Sequence, residues 1–347
     1  MNKYAKVGIS ALCGSLASIT AANAGEMTVT GGIDMTWISM DNRPTGNPIG
    51  IGSNLTFKGD GELDNGWTFA LTVAMLNQDA YSNTVVNIDM GGLGSLNFNQ
   101  GDSGNGIDAF DDKMPTAWEE TWGAGVGTGI QLVSGVGPKT NFQYKTPTVG
   151  GITVTLATAP DMGAGDIADG SVGGVTADDN GAGYDATINI NPSFGTEILS
   201  GLNLFVGAHT AEHFVDSTAG NDLYQAVGGI TLDIGPISLG YASSGIDTGK
   251  NTTTTDVAFY KNHMYGVAFN INDDLSVSYG KHTSQQGFVN PGVKSSPDVE
   301  IDSYQIAYTI GGASLRYADT DVDNPAYGTD GGYKQSKGAQ TISVALA

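Results

Sequence analysis

"SNLTFKGDGELDNGWTFALTVAM", residues 53–75, sets a large apolar side chain on every second position on both sides of one turn. Leu55 and Phe57 come before Asp64-Asn65-Gly66, and Trp67, Phe69, Leu71, Val73 and Met75 follow it. Between them stand Asn54, Thr56, Lys58, Asp60, Glu62, Thr68 and Thr72. Side chains alternate across a strand, so this is a hairpin with one oily face and one hydrophilic face. Either a protein core or membrane hydrocarbon can receive the oily face, and the rest of the chain decides between them.

The same period of two, interrupted by Gly, Pro, Asn and Asp, predicts sixteen strands: 27–40, 51–63, 67–76, 84–90, 95–100, 140–147, 152–159, 184–191, 202–210, 223–234, 237–243, 257–271, 275–283, 300–310, 313–319 and 337–346. Helical periodicity is absent apart from a short turn of helix expected near Ala117–Trp122. Tight turns fall at Asp64–Gly66, Gly91–Gly94, Thr148–Gly151, Gly235-Pro236, Asn272–Asp274 and Gly311-Gly312, with 192–201 the long member of that set. They alternate with longer loops at 101–139, 160–183, 211–222, 244–256, 284–299 and 320–336. Short turns at one end and long loops at the other describe an up-and-down meander with two unlike ends, the pattern of outer-membrane barrels.

A secreted β-sandwich would show the same alternation, with its oily face as core. Three features oppose it. Many strands reach the about 9–11 residues that a tilted strand needs to cross a bilayer, where sandwich strands are commonly about 5–6. Trp37, Trp67, Tyr144, Tyr184, Tyr224, Tyr265, Tyr279, Tyr304 and Tyr317 sit near strand ends on the apolar parity, as interfacial girdles do. No Greek-key crossover interrupts the hairpins. The expected fold is therefore an all-β, 16-stranded antiparallel up-and-down transmembrane β-barrel. Hydrocarbon leaves backbone polar groups no other partner, so the sheet must close, and sixteen strands enclose a water-filled bore. Thr28, Thr30, Asp34, Thr36, Asn54, Thr56 and Lys58 would line it.

Composition agrees. Glycine is 52 of 347 residues, about twice the usual share, and charged residues are 14% against the usual ~25%. "MNKYAK", the apolar "VGISALCGSLASITA" and Ala22-Asn23-Ala24 read as a cleavable export signal over 1–24, leaving 25–347 as the barrel. Cys13, the only cysteine, leaves with it, so the mature chain is expected to hold no disulfide. Net charge is −22, and losing Lys3 and Lys6 makes it −24. Arg43 and Arg316 are the only arginines. Nucleic acid is excluded as a partner, because binding it needs cationic contacts to phosphates.

No catalytic constellation emerges. "HTAEH", His209–His213, spells an inverted zinc-protease motif, but it ends the alternating run "LNLFVGAH", where extended backbone cannot set both imidazoles on one helix face. "GDSG", Gly101–Gly104, lacks a His and Asp framework, and His263 and His282 have no partners at ligand spacing.

"VVNIDMGGLGSLNFNQGDS" followed by "TNFQYKTPTVGGITVTLATA" resembles the general diffusion porins of Gram-negative outer membranes, their more acidic members in particular. A strand, a Gly-rich turn and a short strand lead into a long third loop, and a strand with Asn141, Tyr144 and closing Pro147 follows. "YGVAFNINDDLSVSYGKH" and "SYQIAYTIGGASLRYAD" resemble the family's late hairpins. The resemblance implies an outer-membrane barrel amid lipid and lipopolysaccharide, inserted by the barrel-assembly machinery and assembled as a homotrimer. It also implies that the third loop, 101–139, folds inward against basic residues of the opposite wall. That loop carries Asp102, Asp108, Asp111, Asp112, Glu119 and Glu120 against Lys113.

Two departures stand out. The early strands lack the family's row of arginines: the inward parity offers Lys58 beside Asp34, Asp60, Glu62 and Asp89, so the constriction is expected to be acidic on both sides. Parity alone does not bring Lys145 or Arg316 to it. These barrels also commonly end on Phe; here Ile342, Val344 and Leu346 set the apolar parity and Ala347 breaks it, which suggests a missing final residue.

The function expected is passive diffusion of ions and small hydrophilic solutes with a cation preference, since carboxylates ringing a pore favour cations. No cofactor is required. One candidate ligand is calcium, for which "DTDVDNPAYGTD" offers Asp319, Asp321, Asp323 and Asp330 at loop positions 1, 3, 5 and 12, without the glycine expected at Asn324. The alternatives are a solute-selective porin, or an exported calcium-stabilised structural or adhesive β protein.

Overall fold

The structure is a computed structural model, and it describes residues 27–77, 79, 82–137, 139–162, 180–192, 200–213, 221–251, 253–329 and 336–346. The export-signal segment 1–24, Asp330 and Ala347 lie outside the described residues.

Sixteen strands form in chain order: β1 Thr28–Asp41, β2 Ile49–Glu62, β3 Thr68–Leu76, β4 Asn83–Asp89, β5 Ser95–Gln100, β6 Asn141–Lys145, β7 Ile152–Ala159, β8 Asn180–Ile190, β9 Leu202–His213, β10 Leu223–Ile234, β11 Ile237–Asp247, β12 Val257–Asn270, β13 Leu275–Phe288, β14 Val299–Ile310, β15 Ala313–Asp323 and β16 Ser336–Leu346. Each pairs antiparallel with its sequence neighbours, and β1 pairs with β16 from Ile33↔Leu346 to Asp41↔Gly338, closing the barrel.

The oily face of the opening hairpin points outward. Phe57 stands opposite Val73 and Leu55 opposite Met75 on the β2–β3 ladder, and the one closed sheet offers them no second sheet to pack on. Outward residues elsewhere, among them Ile51, Leu71, Val206, Leu239, Leu315 and Ile342, are likewise exposed. Aromatic pairs break this band near its rims: Tyr279 and Tyr304 with ring centroids 4.9 Å apart, and Phe98 and Phe142 at 4.7 Å.

Where the chain departs from the periodicity, the reason is physical. β11, β13 and β15 run on to Asp247, Phe288 and Asp323, beyond the expected ends at 243, 283 and 319. Past the apolar band the outward face turns polar while inward residues such as Ile246 and Val322 are buried, so the apolar parity inverts while the hydrogen-bond ladder continues. That extension corrects the reading of Asp319, Asp321 and Asp323 as loop residues. They alternate along β15 on the outward face, opposite Tyr304, Asp302 and Glu300 of β14, without the turn that wraps a calcium loop around its ion. Ala117–Trp122 contains no helix; the 3₁₀ turn of this loop is Gly106–Phe110.

The inner face is not uniformly polar. Phe205, Val227, Ile246 and Met264 on β9–β12 are buried with Ile107, Phe110 and Val133 of the long loop after β5. Val299, Ile301, Val322 and Ala339 on β14–β16 are buried with Val126 of the same loop and Tyr327. The core thus lies within the barrel, between the inner wall of its second half and the loop folded over it.

Candidate functional site: the inward loop and the lumen wall

The inward loop leaves β5 after Gln100 and returns at Asn141. Two paired asparagines close its neck. The Asn99 amide donates to the carbonyls of Asp102 at 2.7 Å and Gly137 at 3.2 Å. The Asn141 amide faces those of Val136, Gly137 and Lys139 at 2.8–3.3 Å. Wall side chains then accept loop N–H groups in sequence. Gln143 takes Gly106 at 2.9 Å, Asp185 takes Ile107 at 2.8 Å and Val136 at 3.2 Å, and Gln225 takes Ser134 at 2.8 Å. Farther round, Ser278 takes Ala117 at 2.8 Å, and Gln305 takes Trp118 and Glu119 at 3.1 and 3.0 Å. On the returning limb Thr341 and Asn262 donate to the carbonyls of Ala124 and Gln131 at 3.0 and 2.9 Å. Buried backbone groups need such partners, and the wall supplies them from β6 to β16.

Glycine makes the close approach possible. A Cβ at Gly266 would stand 2.8 Å from the Pro115 carbonyl oxygen, and one at Gly240 would strike the Pro115 ring. Any larger residue at either position would push the loop off the wall and into the bore.

The loop acids fall into groups. Asp102 sits at the neck, its carboxylate accepting from the Asn83 amide at 3.0 Å, and burial raises its pKa. Asp108 accepts the Gly104 N–H at 2.6 Å; burial, partly offset by that bond, pushes its pKa up to about 6. Asp111 is pushed up to about 8, by burial first and then by the negative charges of Asp108, Asp112 and Glu120. Asp111, Asp112 and Glu120 line one cleft with Met114, Trp122 and His282. Burial also raises Glu119, followed by the adjacent Glu120, while Arg316 opposes the shift.

On the wall, Asp34 does not stand as a bare carboxylate. Its Oδ2 lies 3.3 Å from the Arg316 guanidinium, and its Oδ1 accepts the Ser343 hydroxyl at 2.6 Å. Arg316 lies 5.9 Å from the Trp118 ring centroid, within cation–π range. Arg316 is thus a basic group that the fold sets beside the loop, and the Lys337 Nζ stands 4.0 Å from the Cβ position of Gly127. Lys58 instead stands between Thr28 and Thr72 on the ladder, near the end of β2. Asp60, Glu62 and Asp89 line a separate hollow with Thr68 and Asn87 at the short-turn end.

Sequence reading did not find Asp185, Gln225 or Gln305, and it left Arg316 unplaced. Their signal was present, since each is a polar residue on the inward parity of its strand. His209, set aside as half of a zinc motif, lies on extended β9 with its Nδ1 2.5 Å from Asp185. Among the described residues, no group of three or more His, Cys, Asp or Glu is placed to hold a metal.

Comparison with known proteins decides the family. The profile of the Gram-negative porins matches residues 8–341. The chain belongs to the Gram-negative porins. No curated protein matches it in sequence. Solved structures share the fold at low identity. An anion-selective porin from Comamonas acidovorans is 14% identical with a TM-score of 0.64, over 92% of this chain and 99% of that one. Salmonella typhi OmpF, solved with daunomycin, is 12% identical with a TM-score of 0.67, over 93% and 98%. Vibrio cholerae OmpT is 11% identical with a TM-score of 0.61, over 92% and 97%. This porin is an outer-membrane β-barrel, and its family and fold make it a diffusion channel rather than an enzyme.

Proposed function

We propose that this porin passes ions and small hydrophilic solutes with a preference for cations, selected at the edge of the inward loop. The observation that carries the reading is the line of carboxylates from Asp102 through Asp108, Asp111 and Asp112 to Glu119 and Glu120. Beside it Arg316 is itself paired with Asp34. A solute squeezed past that edge meets several negative charges, which lower the free energy of a cation and raise that of an anion. The sign of selectivity does not come with the fold, since one structural neighbour is anion-selective. It follows from which charges the loop and wall carry. Lys58, Asp60, Glu62 and Asp89 act in the short-turn vestibule, upstream or downstream of the selecting edge.

Reconstitution into a planar bilayer under a KCl gradient tests this directly. The expected reversal potential has the sign of cation preference; an anion-preferring sign, or no conductance, rejects the reading.

The same proposal includes a homotrimer in a membrane of lipid and lipopolysaccharide, reached through a cleaved 1–24 signal and the barrel-assembly machinery. Support comes from wall height: β4, β5 and β6 are only 7, 6 and 5 residues long, short of the about 9–11 needed to cross hydrocarbon. That low side suits a neighbouring barrel better than lipid. Vibrio cholerae OmpT has been solved in a trimer form. Mass measurement of the detergent-extracted particle should give three protomers, and a monodisperse monomer would remove the trimer.

A further inference from the structure

We infer that Asp185, with His209 behind it, is the positioning residue that sets where the inward loop stands across the bore. The inference rests on the reading of that loop as the constriction, and it concerns how the opening is held rather than its charge. Gln143 holds the outgoing limb alone, and Gln225 the returning limb alone. Asp185 Oδ2 joins the two, accepting Ile107 N–H from one limb and Val136 N–H from the other.

The chain is shaped to let this carboxylate in. Each donor follows a glycine with left-handed backbone, Gly106 at φ 58° and Gly135 at φ 50°. A Cβ on either glycine would collide with the Asp185 carboxylate. L-residues avoid that backbone region and glycine does not, so both limbs wrap the same oxygen. Ile107 and Val136 are themselves fully buried.

His209 completes the arrangement from β9. Its Nδ1 lies 2.5 Å from Asp185 Oδ1, a hydrogen bond that fixes the rotation of the carboxyl group. Both side chains are 0% exposed. Their influence on permeation therefore runs through the loop backbone and not through contact with solute.

The test uses Asp185→Ser, and His209→Gln as the milder variant should the first fail to assemble. Both are expected to raise open-channel noise and spontaneous closures, about tenfold for Asp185→Ser, from the loss of hydrogen bonds to a buried polar group. Both should blur the size cut-off for neutral sugars in liposome swelling while leaving the sign of the reversal potential unchanged. A tether supplies the rescue. An ideal Cβ at Gly207 stands 3.4 Å from Ile107 Cβ, at the short edge of disulfide reach. Adding Ile107→Cys and Gly207→Cys to Asp185→Ser should restore quiet channels when oxidised and lose them on reduction.

Folded variants with wild-type noise and cut-off overturn the inference, as does a formed tether that leaves the noise unchanged. If they are silent while neutralising the loop acids still moves the reversal potential, the positioning role falls and the constriction stands. If both sets are silent, the constriction falls with it.

Discussion

Neutralising Asp111, Asp112 and Glu120 together, as Asn, Asn and Gln, is expected to cut the cation-selective reversal potential at pH 9 by about half, since Asp111 is ionised there and half of the six loop carboxylates lose their charge. In a tenfold KCl gradient the ideal limit is about 59 mV for a monovalent ion, so the change is large against electrode error. These three are chosen because they cluster where the loop meets Met264 and His282 of the wall, whereas Asp102 and Asp108 also hold the loop together through Asn83 and Gly104. Salt supplies an internal control. The Debye length falls from about 8 Å at physiological ionic strength to about 3 Å at 1 M, so wild type and variant should converge as both chambers are raised toward 1 M. Arg316→Gln is the opposite change: it removes the cation beside Glu119 and frees Asp34, and it should strengthen cation preference. A triple variant with wild-type reversal potential at low salt would place this loop edge outside the selecting region.

Raising pH from 5 to 9 should increase cation preference, with most of the rise between pH 6 and 8. A carboxyl group whose pKa is raised is neutral below that value and charged above it. Asp108, raised to about 6, and Asp111, raised to about 8, are both neutral at pH 5 and both ionised at pH 9. The stability consequence has the opposite sense. Between the ordinary carboxylate range and these raised values the folded loop binds more protons than the unfolded chain, so stability falls as pH rises. The loop should accordingly be quieter at pH 5 than at pH 9, although less selective. The Asp111, Asp112 and Glu120 variant should lose the upper part of the titration. A reversal potential flat across pH 5–9 in the wild type would show that Asp108 and Asp111 do not face permeating ions.

How much of this was legible beforehand differs between wall and loop. Phe57, Phe69 and Val73 announced an outward oily face because a strand has a period of two and hydrocarbon accepts no polar atom. That period located all sixteen strands, and it lost their ends where the outward face turns polar and the inward face is buried, as at Asp319, Asp321 and Asp323 beside Thr320 and Val322. The inward loop was visible as a long acidic interval, but its attachment was not. Phe205, Val227, Ile301 and Val322 are apolar residues on the inward face, which elsewhere is polar. They are the floor under the loop, recognisable as such only once the loop lies on them.

Electrostatics divide in the same way. The excess of carboxylates over basic residues in 101–139 is a property of composition and needs no coordinates. Which charge opposes them is not, because Arg316 and Asp34 are joined by barrel closure between the first and last strands, far apart along the chain. Sequence by itself determined the strands, their two faces and the acidity of the interval 101–139, since each depends on neighbours a few residues away. Only the tertiary structure decided that Arg316 rather than Lys58 stands at the loop, and that Asp185 grips both of its limbs. Those pairings depend on shear and closure, which bring distant residues to one height in the bore and leave no local periodicity to read.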